Sequence, residues 1–291
     1  MSKTKKLKID YDDTAEILDL ILILKDIATT LFQKSAKSKQ ILIDFVTYFT
    51  DFFKMASFFG TDHPLVHPKS NATAILVVSS ESAFMGDMNS RLIRSMQAEA
   101  DKNNANDIIV LGNKAGEKIK AVLGKTKKVH VVTDIHKNGN YKTSINTKDY
   151  IINEVMEGRI GKIVAVYPFA ININLIRPKV AVLFPSTEAF PVDNKEEPKE
   201  ESIEHVVVES DKNDILGYLA SLWLTCRIYE LLMNCECSGF AAQVQQLESA
   251  GDRLKKEKLL LGVAVKKSRK SDISKSLAEV FASRMVNTKS A

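Results

Sequence analysis

The sequence of 291 residues is 45% hydrophobic and 26% charged, values that exclude the collagen-like, disordered and disulfide-scaffold classes. Its formal charge of +5 comes from 41 basic and 36 acidic side chains, and most of the basic ones are lysine. This excess argues against nucleic acid as a partner, because the recognition of bases and phosphates favours arginine.

The first region, residues 1–60, has the pattern of one long helix with a heptad seam. No Gly or Pro interrupts residues 12–59, and apolar or small residues recur every seven positions in two series, four residues apart. The two series are Ile17, Leu24, Leu31, Ser38, Phe45, Phe52 and Phe59, and Ile21, Ala28, Ser35, Leu42, Phe49 and Ala56. The middle of this helix, residues 34–40, is small and basic, as expected of a solvated stretch or of a surface that turns inside a sleeve.

The second region, residues 68–205, contains the clear strand patterns. We predict strands at 74–79, 107–112, 129–133, 161–169 and 178–184, with helices at 89–102, 114–123 and 148–157. Alternating strands and helices predict a Rossmann-like α/β domain with a mainly parallel sheet covered on both faces. Residues 193–211 contain eight acidic side chains and two lysines, so we expect an exposed linker, with a short strand at 205–209.

The third region, residues 211–291, is predicted to be helical, and a seam of residues alternately four and three apart follows it. The seam runs through Met233, Cys237, Phe240, Val244, Leu247, Gly251, Leu254, Lys258, Leu261 and Val265. Gly239, Gly251 and Gly262 are candidate bends. Because each terminal helix would expose its seam alone, we expect residues 211–291 to pair with 12–59 as an antiparallel coiled coil.

Motifs for chemistry are few. Gly112-Asn-Lys-Ala-Gly116 follows a strand and opens a helix, but it is an incomplete phosphate-binding pattern and fits a plain turn better. His63 and His67 are separated by Pro64, His130 lies within an apolar strand, and the serines at 79–82 have no nucleophile elbow around them. Cys226, Cys235 and Cys237 lack zinc or redox spacing and are interpreted as reduced structural thiols. We therefore predict no catalytic residue, no metal and no cofactor.

Neither a membrane span nor a signal peptide is predicted. No run of 18 apolar residues occurs, and acidic residues surround the short apolar stretch at 17–24. The expected location is the cytoplasm.

This layout resembles the gamma subunit of the rotary F-type ATP synthases, the central shaft. Where the family has Ser-Asp-Arg-Gly-Leu-Cys-Gly-Gly-Leu-Asn-Ser after the first strand, this chain has Ser80-Glu-Ser-Ala-Phe-Met-Gly-Asp-Met-Asn-Ser90. The family's Val-Tyr-Asn-x-Phe is similar to Val166-Tyr-Pro-Phe169, followed here by Pro178 and Leu183-Phe-Pro185. The family's Ser-Glu-His-Ala-Ala-Arg-Met is similar to Ser238-Gly-Phe-Ala-Ala-Gln-Val244. Two family arginines are replaced, by Ser82 and Gln243.

The resemblance implies a non-catalytic rotor whose helices lie inside a ring of alpha- and beta-type nucleotide-binding subunits. It also implies a small epsilon-like subunit, a membrane rotor or other base partner, and a place at the inner face of a bacterial membrane. The α/β domain would lie at the base of the shaft. Candidate ring contacts are Lys34, Lys37, Lys39, Gln40, Ser80, Glu81, Asn89, Gln243, Gln246, Arg253, Lys255, Lys256, Lys266, Lys267, Arg269 and Arg284.

Three alternatives stay open at this point. The shaft could serve a specialised F-like ATPase that does not make ATP, as in motility-linked mycoplasma-type complexes, and the excess of lysine over arginine fits such a genome. The chain could be a stand-alone nucleotide-binding α/β enzyme that dimerises through its helices, with residues 112–116 as its phosphate turn. It could also be a coiled-coil adaptor without a rotary role.

Overall fold

The computed structural model describes residues 3–57, 64–65, 68–124, 126–133, 135–184 and 211–288, with side chains omitted at 40–57, 136–138 and 283–288. The predicted strand at 205–209, His63 and His67 lie outside these residues. Helices and strands follow in the order α1 (Lys3–Ser57), β1 (Thr73–Val78), α2 (Met88–Lys102), β2 (Asp107–Leu111), α3 (Asn113–Leu123), β3 (Lys128–Val132), α4 (Ile135–Met156), β4 (Lys162–Asn172), β5 (Leu175–Phe184) and α5 (Lys212–Thr288). This matches the predicted fold class, a mainly parallel sheet domain inserted between two long terminal helices.

The chain divides into two compact units, and both long helices contribute to each of them. Residues 1–28 and 244–291 form unit 1, and residues 29–243 form unit 2. Each unit is described by itself below.

Unit 2 is built on a five-stranded sheet in the order β3-β2-β1-β4-β5. The first four strands are parallel and β5 is antiparallel to β4. The strands are nearly continuous runs of Val, Ile, Leu and Ala because helices cover both faces of the sheet, as predicted. The strand predictions agree with the structure to within one to three residues.

The two faces of the sheet follow the alternation of side chains along β1. Ile75 and Val77 pack with Leu92 of α2 and Ile119 of α3. Leu76 and Val78 point to the opposite face, where α4 and the unit 2 part of α5 supply residues such as Trp223. Full burial of an aliphatic side chain of this size contributes about 1.5–3 kcal/mol to stability.

Helix α4 begins earlier than predicted, at Ile135 rather than at Lys148. Gly139 has a φ of 74° within it, so two helical segments meet there at a kink. The sequence Asn138-Gly139-Asn140 is typical of a turn, and it obscured the first segment.

Unit 1 is an antiparallel pair of helices. The residue numbers of the contacting pairs increase along α1 as they decrease along α5. Thr4 hydrogen-bonds Ser268 at 2.6 Å, Tyr11 lies beside Gly262, Ile21 lies beside Gly251, and Lys25 pairs with Glu248 at 2.9 Å. On α5 the predicted seam is correct in unit 1, where Val244, Leu247 and Gly251 are buried and the positions that follow are partly buried. The helix is unbroken at all three candidate bends.

On α1, one of the two predicted series is wrong within residues 17–38, and the seam positions from Leu42 to Phe59 lie outside the residues whose side chains are described. Thr14, Leu18 and Ala28 are buried and lie in the same heptad register as Ile21 and Lys25, whereas Ile17, Leu31 and Ser38 are exposed. The reason is that α1 carries two apolar stripes in unit 1, and α5 covers only one of them. The covered stripe includes Leu18 and Ala28, and the second, exposed stripe consists of Ile17, Leu20, Ile23 and Ile27. The series that contains Ile21, Ala28 and Ser35 is on the buried side.

Helix α5 also contains an 18-residue window with a mean hydropathy of 1.3, which by length and composition alone could cross a membrane. Half of that window is buried inside the protein, and the core helix of a globular domain passes the same test.

Replacing Gly251 by Ala is expected to stabilise unit 1. A Cβ atom there would lie 3.7 Å from Cγ2 of Ile21, an ordinary contact, and the helix would gain about 1 kcal/mol of propensity. Thermal unfolding followed by circular dichroism at 222 nm should show the gain. Gly239→Ala is the matched control, because its Cβ would meet Ser80 Oγ at 3.3 Å and the gain should be smaller. An equal or larger gain at Gly239 would contradict this expectation.

Candidate interaction surfaces

Six of the predicted ring contacts lie on α5 in unit 1. All six are exposed, and we call them the basic face: Arg253, Lys255, Lys256, Lys266, Lys267 and Arg269. Lys255 is 3.6 Å from Asp252, an exposed pair that neutralises little of the field. Gln246 is exposed about two turns before the basic face, and Arg284 lies in the last turns of α5 with its side chain outside the described residues.

Four other predicted residues converge in unit 2 around the loop after β1. Asn89 donates a hydrogen bond to the carbonyl of Ser80 at 3.0 Å, and Gln243 Nε2 donates to the carbonyl of Ala83 at 3.1 Å. Gly239 of α5 lets Ser80 and Met85 approach, since a Cβ there would be 3.3 Å from Ser80 Oγ. The loop therefore braces α5.

The carboxylate of Glu81, which belongs to this loop, lies at the N-terminus of α3. Its carboxylate accepts a hydrogen bond from the backbone N–H of Asn113, and Lys114 Nζ donates to the Glu81 carbonyl at 2.8 Å. Position 112 requires glycine, because its φ is 117° and a Cβ atom there would clash with Ser79 Oγ. The turn at 112–116 thus has a carboxylate where a phosphate turn needs an open, electropositive N–H.

The basic stretch at 34–40 is split between surface and interior. Lys34 and Lys37 are exposed, and the side chain of Gln40 lies outside the described residues. Lys39 is half-buried, with Nζ 3.9 Å from the centroid of the Phe169 ring, and burial lowers the pKa of its ammonium group. Lys39 therefore packs on the sheet domain by a cation–π contact rather than facing outward.

The three thiols and His130 are wholly or partly buried. Burial raises the pKa of Cys235 to about 12. Burial also raises the pKa of Cys237, and the nearby charge of Lys39 offsets part of that increase. His130 stacks on the Tyr150 ring at 4.0 Å, and burial lowers the pKa of its imidazole. Protonated thiols and a stacked neutral imidazole fit packing roles.

A cleft of about 400 Å³ opens in unit 2 where β1 ends, between the start of α4 and α5. Asn140 Nδ2 donates to Glu236 Oε2 at 2.9 Å on its wall, and Ser80 and Glu81 lie opposite. Within the ranges described above, no three His, Cys, Asp or Glu side chains are grouped so as to hold a metal ion.

Two exposed features escaped the sequence analysis. Phe84 has a φ of 60°, which is strained for an aromatic residue, and its ring is exposed at the tip of the loop. The exposed apolar stripe of α1, which includes Leu20, Ile23 and Ile27, was not recognised, and its member Ile17 was assigned to the seam, although the acidic residues beside it are a signal for exposure.

The chain is thus an α/β protein in which the sheet domain is inserted in sequence between two long terminal helices, and these helices pair with each other in unit 1. A family model described as ATP synthase matches residues 23–284. The chain therefore belongs to this family, as a divergent member of its gamma subunits.

Curated relatives and solved structures agree with this assignment. An ATP synthase gamma chain of Lachnoclostridium phytofermentans is 21% identical over 97% of both chains, and one of Stenotrophomonas maltophilia strain K279a is 23% identical over 75% of both. A chain in the Euglena gracilis mitochondrial ATP synthase, solved as OSCP/F1/c-ring, superposes with a TM-score of 0.63 at 10% identity, covering 97% of this chain and 94% of that one. At such identity the structural likeness concerns the fold.

Proposed function

We propose that the chain is the central rotor of an F-type or F-like ATPase and couples nucleotide turnover in a surrounding catalytic ring to rotation of its paired helices. The observation that carries the proposal is the structure of unit 1, an antiparallel helix pair in which the seam between the helices is buried and the basic face is exposed. In unit 1, α5 alone extends over roughly 65 Å at 1.5 Å per residue. A continuous helix pair of this kind can transmit a push from one site to another through a rigid element.

In this proposal the active sites are on the partner subunits, and the chain itself performs no chemistry. Ring subunits of alpha and beta type would surround unit 1, with acidic segments facing the basic face. An epsilon-like subunit and a membrane rotor or other base partner would bind unit 2. The complex would be peripheral to the cytoplasmic face of a bacterial membrane.

Purification of the intact complex from its native cell through a tag on this chain tests the proposal. We expect two larger nucleotide-binding subunits to co-purify in a ring, with one copy of this chain per ring, and ATP hydrolysis to reside in that complex. The purified chain alone should hydrolyse ATP no faster than buffer. Hydrolysis by the isolated chain at a rate comparable to that of the complex would contradict the rotor assignment.

A further inference from the structure

The second apolar stripe of α1 in unit 1 is exposed and continuous. Ile17, Leu20, Ile23 and Ile27 are between 50% and 57% exposed, far more than expected of four large aliphatic side chains in one patch. They lie three or four residues apart, so they share one face of the helix. From Ile17 to Ile27 the stripe covers about 15 Å of helix.

The α1–α5 seam lies on a different side of α1. Leu18 and Ala28 are buried in unit 1, and Ile21 and Lys25 meet Gly251 and Glu248 there. The exposed stripe is therefore additional to the intramolecular coiled coil.

Acidic side chains border the stripe on one edge. Asp12, Asp19 and Asp26 recur every seven residues and are exposed, and the latter two directly precede Leu20 and Ile27. Asp13 and Glu16 add to the negative charge at the N-terminal end. Between residues 10 and 26 there are six acidic side chains and a single basic one, Lys25, which pairs with Glu248 on the seam side.

We propose that this face binds an amphipathic helix of a partner protein that has an apolar stripe and a row of lysine or arginine beside it. A heptad-spaced apolar stripe is complemented by a second helix with the same spacing, and the charges at its edge select the partner. An anionic membrane surface is disfavoured, because helices that lie on membranes are basic rather than acidic. Pairing of the same stripe in two copies would bring the acidic edges together, which disfavours it.

This inference goes beyond the rotor proposal, since it assigns a second binding face whose charge is opposite to that of the basic face. It does not depend on the identity of the ring. The complex purification described above can fail while this face still binds its helix, and the reverse is also possible.

The test uses the purified full chain and two synthetic peptides of about 28 residues, or four heptads. Both peptides carry the same Ile/Leu stripe, and the flanking positions are lysine in one and glutamate in the other. Binding is measured by fluorescence anisotropy at low ionic strength, where exposed charges are least screened. We expect the basic peptide to bind about tenfold tighter than the acidic one, from several exposed ion pairs.

Variants make the result specific to the face. Leu20→Gln with Ile27→Gln should weaken binding of the basic peptide at least about tenfold. Asp12→Lys, Asp19→Lys and Asp26→Lys together should invert the preference between the peptides. Leu259→Gln with Leu260→Gln, two exposed leucines of α5, is the matched control and should leave binding unchanged. All these side chains are exposed, so circular dichroism should be the same in every variant.

Binding of neither peptide, or equal binding of both, would overturn the proposal. Sedimentation provides the remaining outcome: a dimer of the full chain that dissociates on Leu20→Gln with Ile27→Gln would assign the face to a second copy and would also overturn it.

Discussion

Replacing Gly161 by Ala should unfold unit 2 under conditions in which the native protein is folded. A Cβ atom at this position would lie well inside van der Waals contact with the carbonyl oxygen of Ser70 and 2.5 Å from its carbonyl carbon. The segments that precede β1 and β4 are held together here, because the N–H groups of Gly161 and Lys162 both donate to the carbonyl of Ala72, at 2.8 and 3.0 Å. We expect a loss of at least about 3 kcal/mol.

Urea unfolding followed by tryptophan fluorescence measures this effect in unit 2, since Trp223 is the sole tryptophan and is buried there. Gly158→Ala is the matched control three residues earlier. Its Cβ would meet nothing within 4 Å, but its φ of 71° is strained for alanine and should cost about 1–2 kcal/mol. If Gly161→Ala were no more destabilising than Gly158→Ala, the close packing of Gly161 against the Ser70 backbone would be wrong.

The second large effect concerns assembly. Reversing Lys255, Lys256, Lys266 and Lys267 to Glu should reduce the amount of catalytic ring recovered with the tagged chain at least about tenfold at physiological salt. Each reversal changes the charge by two and turns attraction to an acidic segment into repulsion. The fold should persist, because the four side chains are exposed and Glu is nearly as good a helix former as Lys.

The control carries the same change in charge elsewhere. Lys69, Lys102, Lys118 and Lys142 are exposed in unit 2, and reversing them should leave ring recovery near the native level. Recovery of the native complex should also fall with added salt, since the interaction is between exposed charges. An equal loss in both quadruple variants would show that net charge rather than the basic face governs assembly.

The sequence predicted most of unit 2 because its strands are unbroken apolar runs and its helices follow polar loops. Strand β1 differs by one residue at each end from the prediction, and β2 by one residue at its end. The fold class also required the pairing of the terminal helices, and the heptad spacing of α5 predicted its seam correctly in unit 1. The first segment of α4 was missed because Gly139 interrupts it.

Other features could not be obtained from local patterns. Helix α1 carries two apolar stripes with the same spacing, and only the position of α5 decides which of them is buried. Lys39 is basic like Lys34 and Lys37, yet it packs on Phe169, which is distant in sequence. The contact between Gln243 and Ala83 joins residues 160 positions apart. Several of the residues around the loop were singled out from the sequence, but no local pattern indicates which pairs of them are in contact.

The carboxylate of Glu81 lies at the first turn of α3, where an anion could otherwise bind. It is an intramolecular competitor for any anion that approaches that turn, and its tether gives it an effective concentration in the millimolar range or above. A free phosphate would have to displace it and leave a carboxylate without the N–H of Asn113. The N-terminal anion site of a Rossmann-like helix is thus filled by the chain itself, and the same loop holds α5 in place through Ala83.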